Sequence, residues 1–177
     1  MAELDDLFDD LVARSASKKL PPVEQWQPER IGEIDIRIDA EGVWWHEGGE
    51  IKRQGLVNVF ASVLRRDGDD YFLVTPVEKL RIEVEDVPFI GIDVERKGSG
   101  VEQEILVTTN VDDVVLVDPQ HPIEMRDERP YVRVRGDLYA RLSRAAFYRL
   151  VEFGLEEQGA WILYSRGARY SLGSARG

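Results

Sequence analysis

LVTPVEKLRIEVEDVPF, Leu73 to Phe89, is the joint of this chain. It leaves one periodic unit, carries a cluster of polar groups, and leads through a β-rich stretch to a second unit of the same kind. Before it, Ile34, Ile36 and Ile38 alternate with charged residues, the pattern of a half-buried strand. Asp39-Ala40-Glu41-Gly42 reads as a turn, and Val43 to His46 as the returning strand. From Ile51 the period changes. Leu56, Val59, Phe60, Val63 and Leu64 form one apolar helical face, and Asp67-Gly68-Asp69-Asp70 is expected to end that helix. Tyr71 to Val74 is the next strand.

After the joint the pattern returns. Val132-Arg133-Val134 stands for Ile36-Arg37-Ile38, Gly136 for Gly42, and Leu138-Tyr139 for Trp44-Trp45. A helix opening at Arg144 sets Arg144 on Arg53, Phe147 on Leu56, Val151 on Phe60, Leu155 on Leu64 and Gly159 on Gly68. Trp161-Ile162-Leu163 repeats Tyr71-Phe72-Leu73. Two hairpins, each followed by a helix and a returning strand, predict an α+β fold built from a duplicated unit of antiparallel hairpins plus one helix, in two intimately packed domains. The expected boundaries are 1–29 for an N-terminal helical arm, 30–88 for the first domain and 89–177 for the second. Between the repeats, Leu80 to Val84, Phe89 to Glu95, Glu104 to Thr108 and Val114 to Val117 read as strands. Ala168 to Leu172 reads as the last one. In the arm, Leu4, Leu7, Phe8, Leu11 and Val12 fall at helical spacing, and Pro21-Pro22 starts an extended segment containing Trp26. Such a helix either docks on the body or binds a partner.

With no cysteine, disulfides, thiolate nucleophiles and cysteine metal sites are excluded. The acidic start MAELDDLFDD is not a signal peptide, and no apolar run approaches the roughly 20 residues that span a bilayer. The reading is a soluble cytoplasmic protein. A net charge of −11 repels nucleic acid and anionic membrane, so neither is expected as a partner. The charge is uneven, however. Arg129, Arg133, Arg135, Arg141, Arg144 and Arg149 are opposed within their segment only by Asp137. Arginine's planar fork suits phosphates and carboxylates. Arg133 and Arg135 are expected on one strand face, and Arg141 and Arg144 near a helix N-terminus that already favours anions. The open alternative is that these arginines pair with Glu83, Glu85 and Asp86 across the two halves. Thr75 and Lys79 are candidate donors at a ligand-contacting corner or, equally, parts of a plain strand-to-strand corner. Asn110 either reads a ligand edge or simply favours its turn. His46, beside Glu47 and Glu50, lacks metal-ligand spacing. Trp44, Trp45 and Trp161 read as core. No nucleophile elbow, phosphate-binding loop or dinucleotide fingerprint is present.

The ordered set Thr75-Pro76-Val77-Glu78-Lys79, Val84-Glu85-Asp86, Pro88-Phe89, Thr109-Asn110, Asp112, Pro130-Tyr131, Val134-Arg135, Ala140-Arg141 and Arg144 resembles the bacterial family of domain of unknown function 1285. The similarity runs from about residue 30 to 172. The resemblance implies two domains with a duplicated core, the C-terminal half pleckstrin-homology-like. It further implies an anionic, nucleotide-like ligand at the domain interface and a role in signal transduction, with no established reaction and no named cofactor. The site it implies would be lined by Arg135, Arg141 and Arg144 for anionic groups, Thr75 and Lys79 as donors, and Glu85, Asp86 and Asn110 for polar edges. Tyr131 or Tyr148 would supply a stacking face. Two other classes stay open: a protein–protein adaptor using the pleckstrin-homology-like half and the N-terminal helix, and a metal-dependent hydrolase of a nucleotide-like substrate using Glu85 or Asp86.

Overall fold

The computed structural model describes residues 20–175. The helix expected over Leu4 to Val12 lies outside the described residues. The chain divides into two compact units between Asp86 and Val87, and its fold is α+β with a duplicated unit.

In the first unit, β1 (Arg30–Ile38) turns back through β2 (Trp44–His46) and the two-residue β3 (Gly49–Glu50) into helix α1 (Gln54–Ser62). Then β4 (Leu64–Asp67), β5 (Asp70–Val74) and β6 (Glu78–Val84) follow. All six strands form one sheet in the order β3-β2-β1-β6-β5-β4, antiparallel except for the central β1·β6 pair. The alternation of β1 turns Ile36 and Ile38 inward, where Ile38 faces Trp44 across the ladder. Trp44 stacks on Phe60 of α1 at 6.1 Å between ring centres.

The helix is shorter than its apolar spacing predicts. It stops at Ser62, whose hydroxyl turns back to the Val59 carbonyl at 2.6 Å. Val63 and Leu64 are buried, but they belong to strand pairing. The Val63 carbonyl accepts from Val74 N–H, and Leu64 faces Leu73. A β-branched residue at the helix end and the ladder offered by β5 outweigh one more helical turn. Asp67-Gly68-Asp69-Asp70 is therefore a two-residue hairpin turn, with Gly68 at φ +64.

The second unit begins with β7 (Phe89–Lys97), β8 (Glu104–Thr109), β9 (Val114–Leu116) and β10 (Ile123–Arg126). It continues with β11 (Arg129–Arg135), β12 (Leu138–Leu142) and helix α2 (Arg144–Glu152). The last strands are β13 (Leu155–Glu157), β14 (Ala160–Ser165) and β15 (Ala168–Ser174). β10-β11-β12-β7-β8-β9 form a six-stranded sheet, in which β12·β7 is parallel. β13-β14-β15 form a separate meander. Leu155, expected on the helix, is instead an exposed strand residue, and Gln158-Gly159 make the next turn with φ +51 and +81. The meander is tied to the larger sheet by polar side chains. Buried Ser165 donates to Val117 O at 2.7 Å and accepts from Ile105 N–H, while Gln103 Nε2 donates to Phe153 O and Tyr164 O.

The repeat is one residue out of step with its sequence alignment. Both helices have nine residues, and counted from their starts Gln54 corresponds to Arg144 and Phe60 to Leu150. Phe60 and Leu150 are each fully buried. β4, β5 and β6 correspond in order to β13, β14 and β15. In the first unit β6 closes onto β1, whereas in the second the β11–β12 hairpin pairs with β7 and leaves β13–β15 as their own sheet. No helix among the described residues is long and apolar enough to cross a membrane.

The parallel β12·β7 join depends on Gly91, which lies opposite Leu142. A Cβ there would overlap the Leu142 side chain and press on Val107 Cγ1 at 3.1 Å. Gly91→Ala is expected to destabilise the protein by about 1–3 kcal/mol, as overpacking of a filled core does, and a urea titration checks it.

Candidate functional site

Ladder partners share a face of a sheet, so the register of the second unit decides which candidates meet. Tyr131 faces Arg141, and Arg141 faces Ile90 on its other side. Asn110 completes the line by acting as one more strand residue. Its N–H donates to Ile90 O at 2.9 Å, and its side-chain Oδ1 accepts from Ile90 N–H at 3.0 Å. Three candidates from separate segments thus lie in one row across the sheet. The opposite face carries the buried Val132, Ala140 and Leu142.

The adjoining row pairs Arg133 with Tyr139. Arg126 reaches from β10 between the two tyrosines, its guanidinium carbon 4.9 Å from the Tyr131 ring centre and 4.5 Å from that of Tyr139. Glu124, the ladder partner of Tyr131, holds Arg126 at 2.9 Å. Tyr139 and Arg126 were not among the sequence candidates. The available signal was the matched spacing of Tyr131-x-Arg133 and Tyr139-x-Arg141, which alternate in opposite sense along the two arms of a hairpin.

Arg135 does not share the face of Arg133. A bulge between them sets Arg135 opposite Leu138, on the core side. There its guanidinium lies 5.3 Å from the centre of the Phe89 ring and 3.6 Å from Asp113 Oδ2, an ion pair longer than a hydrogen bond. Burial raises the Asp113 carboxyl above its ordinary range despite the nearby cation, and burial lowers Arg135 despite the nearby anion. In both partners desolvation outweighs their attraction. Arg144 and Tyr148 are exposed one turn apart on α2, away from its buried Ala146 and Leu150. Tyr131 is buried, so of the two proposed stacking rings only Tyr148 is open to solvent.

In the first unit Thr75 is buried, and its hydroxyl serves the β5–β6 corner. It accepts from Val77 and Glu78 N–H at 3.3 and 3.2 Å and contacts Glu78 O at 3.3 Å. Lys79 Nζ lies 3.0 Å from Asp67 Oδ2 and 4.4 Å from the Phe72 ring centre. Arg65 grips the same Asp67 through Nε and Nη2, each at 2.9 Å. The Arg65 bond, followed by that of Lys79, outweighs burial and holds the Asp67 carboxyl below its ordinary range. Glu85 is paired inside its own unit, with Arg37 Nη1 at 2.6 Å and Ala40 N–H at 2.9 Å, so its observed partner is not an arginine of the second repeat. Asp86 is half-buried where the first unit ends. Beside β6, an open cleft of about 490 Å³ is lined by Glu33, Asp69, Asp70, Glu83 and Glu85 together with Arg81, an acidic surface that disfavours an anion.

The C-terminal domain model of the DUF1285 family matches residues 88–172, the part that carries this row, and the N-terminal domain model matches residues 21–87. The chain is similar to the crystal structure of a DUF1285 family protein from Silicibacter pomeroyi DSS-3, at 38% identity and a TM-score of 0.83, over 93% of this chain and 94% of that one. It is also similar to one from Shewanella baltica OS155, at 32% identity and a TM-score of 0.58, over 66% of this chain and 90% of that one. A search among curated proteins found no match. With both domain models matched in tandem and a solved relative aligned along nearly its whole length, the chain belongs to the DUF1285 family of two-domain proteins.

Proposed function

We propose that this protein binds an anionic, nucleotide-like ligand on the Tyr131–Arg141–Ile90–Asn110 row and serves as a cytoplasmic ligand-responsive signalling protein. The observation that supports this reading is the register. It brings a guanidinium and a side-chain amide from separate segments into one line beside the buried Tyr131, with Arg126, Arg133 and Tyr139 alongside. In a chain of net charge −11, such a face is the exception. Arg141 offers a planar fork for phosphate oxygens, and the neighbouring arginines add positive potential. Asn110 is held in one orientation by Ile90, on the far side of β7 from Arg141. Thr75, Lys79 and Glu85 serve as framework of the first unit, and Arg135 serves the core of the second, so the reading rests on the half-buried Arg141 and Asn110 of the row.

A thermal-shift panel of nucleotides, dinucleotides and cyclic nucleotides, with and without magnesium, tests it, because a ligand of the native state raises the melting temperature. One class is expected to give a shift. Arg141→Ala should weaken that ligand by about 10–100-fold, the worth of a charge-assisted hydrogen bond. Arg144→Ala should leave it within about twofold. The reading fails if the shift survives Arg141→Ala, or if no member of the panel gives one.

A further inference from the structure

The second unit holds a cavity of about 150 Å³ among the end of β7, the turn before β8, the end of α2 and β14. Its lining includes Arg96, Gln103, Glu152, Phe153, Leu155 and Tyr164. Alternation along β7 explains the arginine. Val94 is fully buried, and Arg96, two residues on, stands on the same face as the ladder partner of buried Ile105. The core ends there, and the guanidinium carbon lies 4.9 Å from the centre of the Phe153 ring. Among the described residues no carboxylate pairs with it. Glu152 is the last residue of α2, where a carboxylate meets the negative end of the helix dipole. It too has no ion-pair partner among the described residues.

The rest of the lining is either occupied or apolar. Gln103, 4% exposed, donates through Nε2 to Phe153 O at 3.2 Å and Tyr164 O at 2.9 Å. Two carbonyl partners fix which end of the amide is nitrogen and leave Oε1 as an acceptor. The Tyr164 hydroxyl is held by Glu157 at 3.0 Å, so this residue offers its ring. A cation and an anion thus line one small cavity without pairing with each other, beside an amide acceptor and two rings. A plain anion would meet Glu152 and the helix end, and a plain cation would meet Arg96. A molecule that carries both charges satisfies both. The volume sets its size, because a cavity of about 150 Å³ takes a molecule as large as benzene. A nucleotide does not fit.

We infer that this cavity binds a small zwitterion, a free α-amino acid with a short side chain. Its carboxylate meets Arg96, its ammonium meets Glu152 and the Gln103 amide oxygen, and its side chain rests on Phe153, Leu155 and Tyr164. The site shares no residue with the Tyr131–Arg141 row and does not rest on the reading of that row.

Chemical-shift titration of the isotope-labelled full chain with glycine, alanine, serine and valine tests the inference. At least one is expected to bind with a dissociation constant at or below about 1 mM and to move the Phe153 and Gly154 amide resonances. The same molecule without its ammonium, or without its carboxylate, should bind at least about tenfold more weakly. Arg96→Gln and Glu152→Gln should each weaken the intact amino acid by at least about tenfold. Both positions are exposed, so the variants keep their core, and an unchanged urea midpoint verifies that. Arg141→Ala should leave the affinity within about twofold, which separates this site from the row. The inference is overturned if none of these amino acids binds up to about 10 mM, or if a singly charged analogue binds as tightly. Binding that survives both substitutions, or that Arg141→Ala weakens as much as they do, overturns it too.

Discussion

Replacing Arg65 by alanine is expected to destabilise the protein by about 3–5 kcal/mol and to release the Val23–Trp26 strap. The residue is 5% exposed, and its side chain makes four hydrogen bonds: two to Asp67, and one each to the carbonyls of Val23 and Trp26. Truncation strips two carbonyls of their donor and leaves Asp67 with Lys79 alone. Breaking a buried charged network from one side costs in this range, a large share of the ~5–15 kcal/mol that holds a typical domain together. Arg65→Lys keeps the charge but not the fork, and should recover only part of the loss. The acid limb supplies an independent reading. Because the folded Asp67 carboxyl sits below its usual value near 3.8, its contribution is present above that pH and is lost as pH falls through the lowered folded value. Arg65→Ala should flatten that part of the pH–stability profile. Urea titrations at several pH values, with hydrogen exchange at residues 23–26, measure both effects. A loss under 1 kcal/mol with the strap still protected would refute this account of the cluster.

Phe60→Ala and Leu150→Ala are expected to cost about 3–5 and 2–5 kcal/mol, the range for emptying a closed core site. They are the seventh residues of α1 and α2, and both are fully buried. Val151 is only half-buried and should cost about 1 kcal/mol when truncated. The contrast tests the repeat register directly. If Val151 were the counterpart of Phe60, as the matching of Arg53 with Arg144 requires, its truncation would be the severe one. Denaturant titrations of the three variants decide between the registers by rank order alone.

Much of the architecture was legible because its signals are local. The alternation of Ile34, Ile36 and Ile38, the turn at Asp39–Gly42 and the apolar stripes of both helices each lie within a few residues of sequence. The helix ends were not legible. α1 stops at Ser62 because β5 supplies a ladder for Val63 and Leu64, and that partner lies on the far side of a turn. β10 was invisible for another reason. Its hairpin to β11 turns through Asp127 and Glu128 at φ +48 and +63, a conformation usually marked by glycine or asparagine, and the sequence has neither there. Of the candidate residues, Tyr131, Arg141 and Asn110 fall in one row because β12 runs parallel to β7, a pairing across some fifty residues that no periodicity encodes. The separation of Arg133 from Arg135 depends on one bulge. The partner of Glu85 proved to be Arg37, on the neighbouring strand of its own unit, and not the more conspicuous arginine cluster.

The parallel β1·β6 pair also sets the order of events during synthesis. Chain leaves the ribosome from its N-terminus at about 5–20 residues per second. Arg30 and Glu78 are ladder partners 48 residues apart, so β1 waits about 2–10 s for its second neighbour. For that interval the nascent chain presents an isoleucine-rich strand with one open edge, the kind of surface that chaperones cover and that pairs with stray strands. The wait recurs when Phe89 stands ready for Ala140. The closing meander, β13 to β15, escapes it, because each of its strands meets its partner across a tight turn soon after it is made.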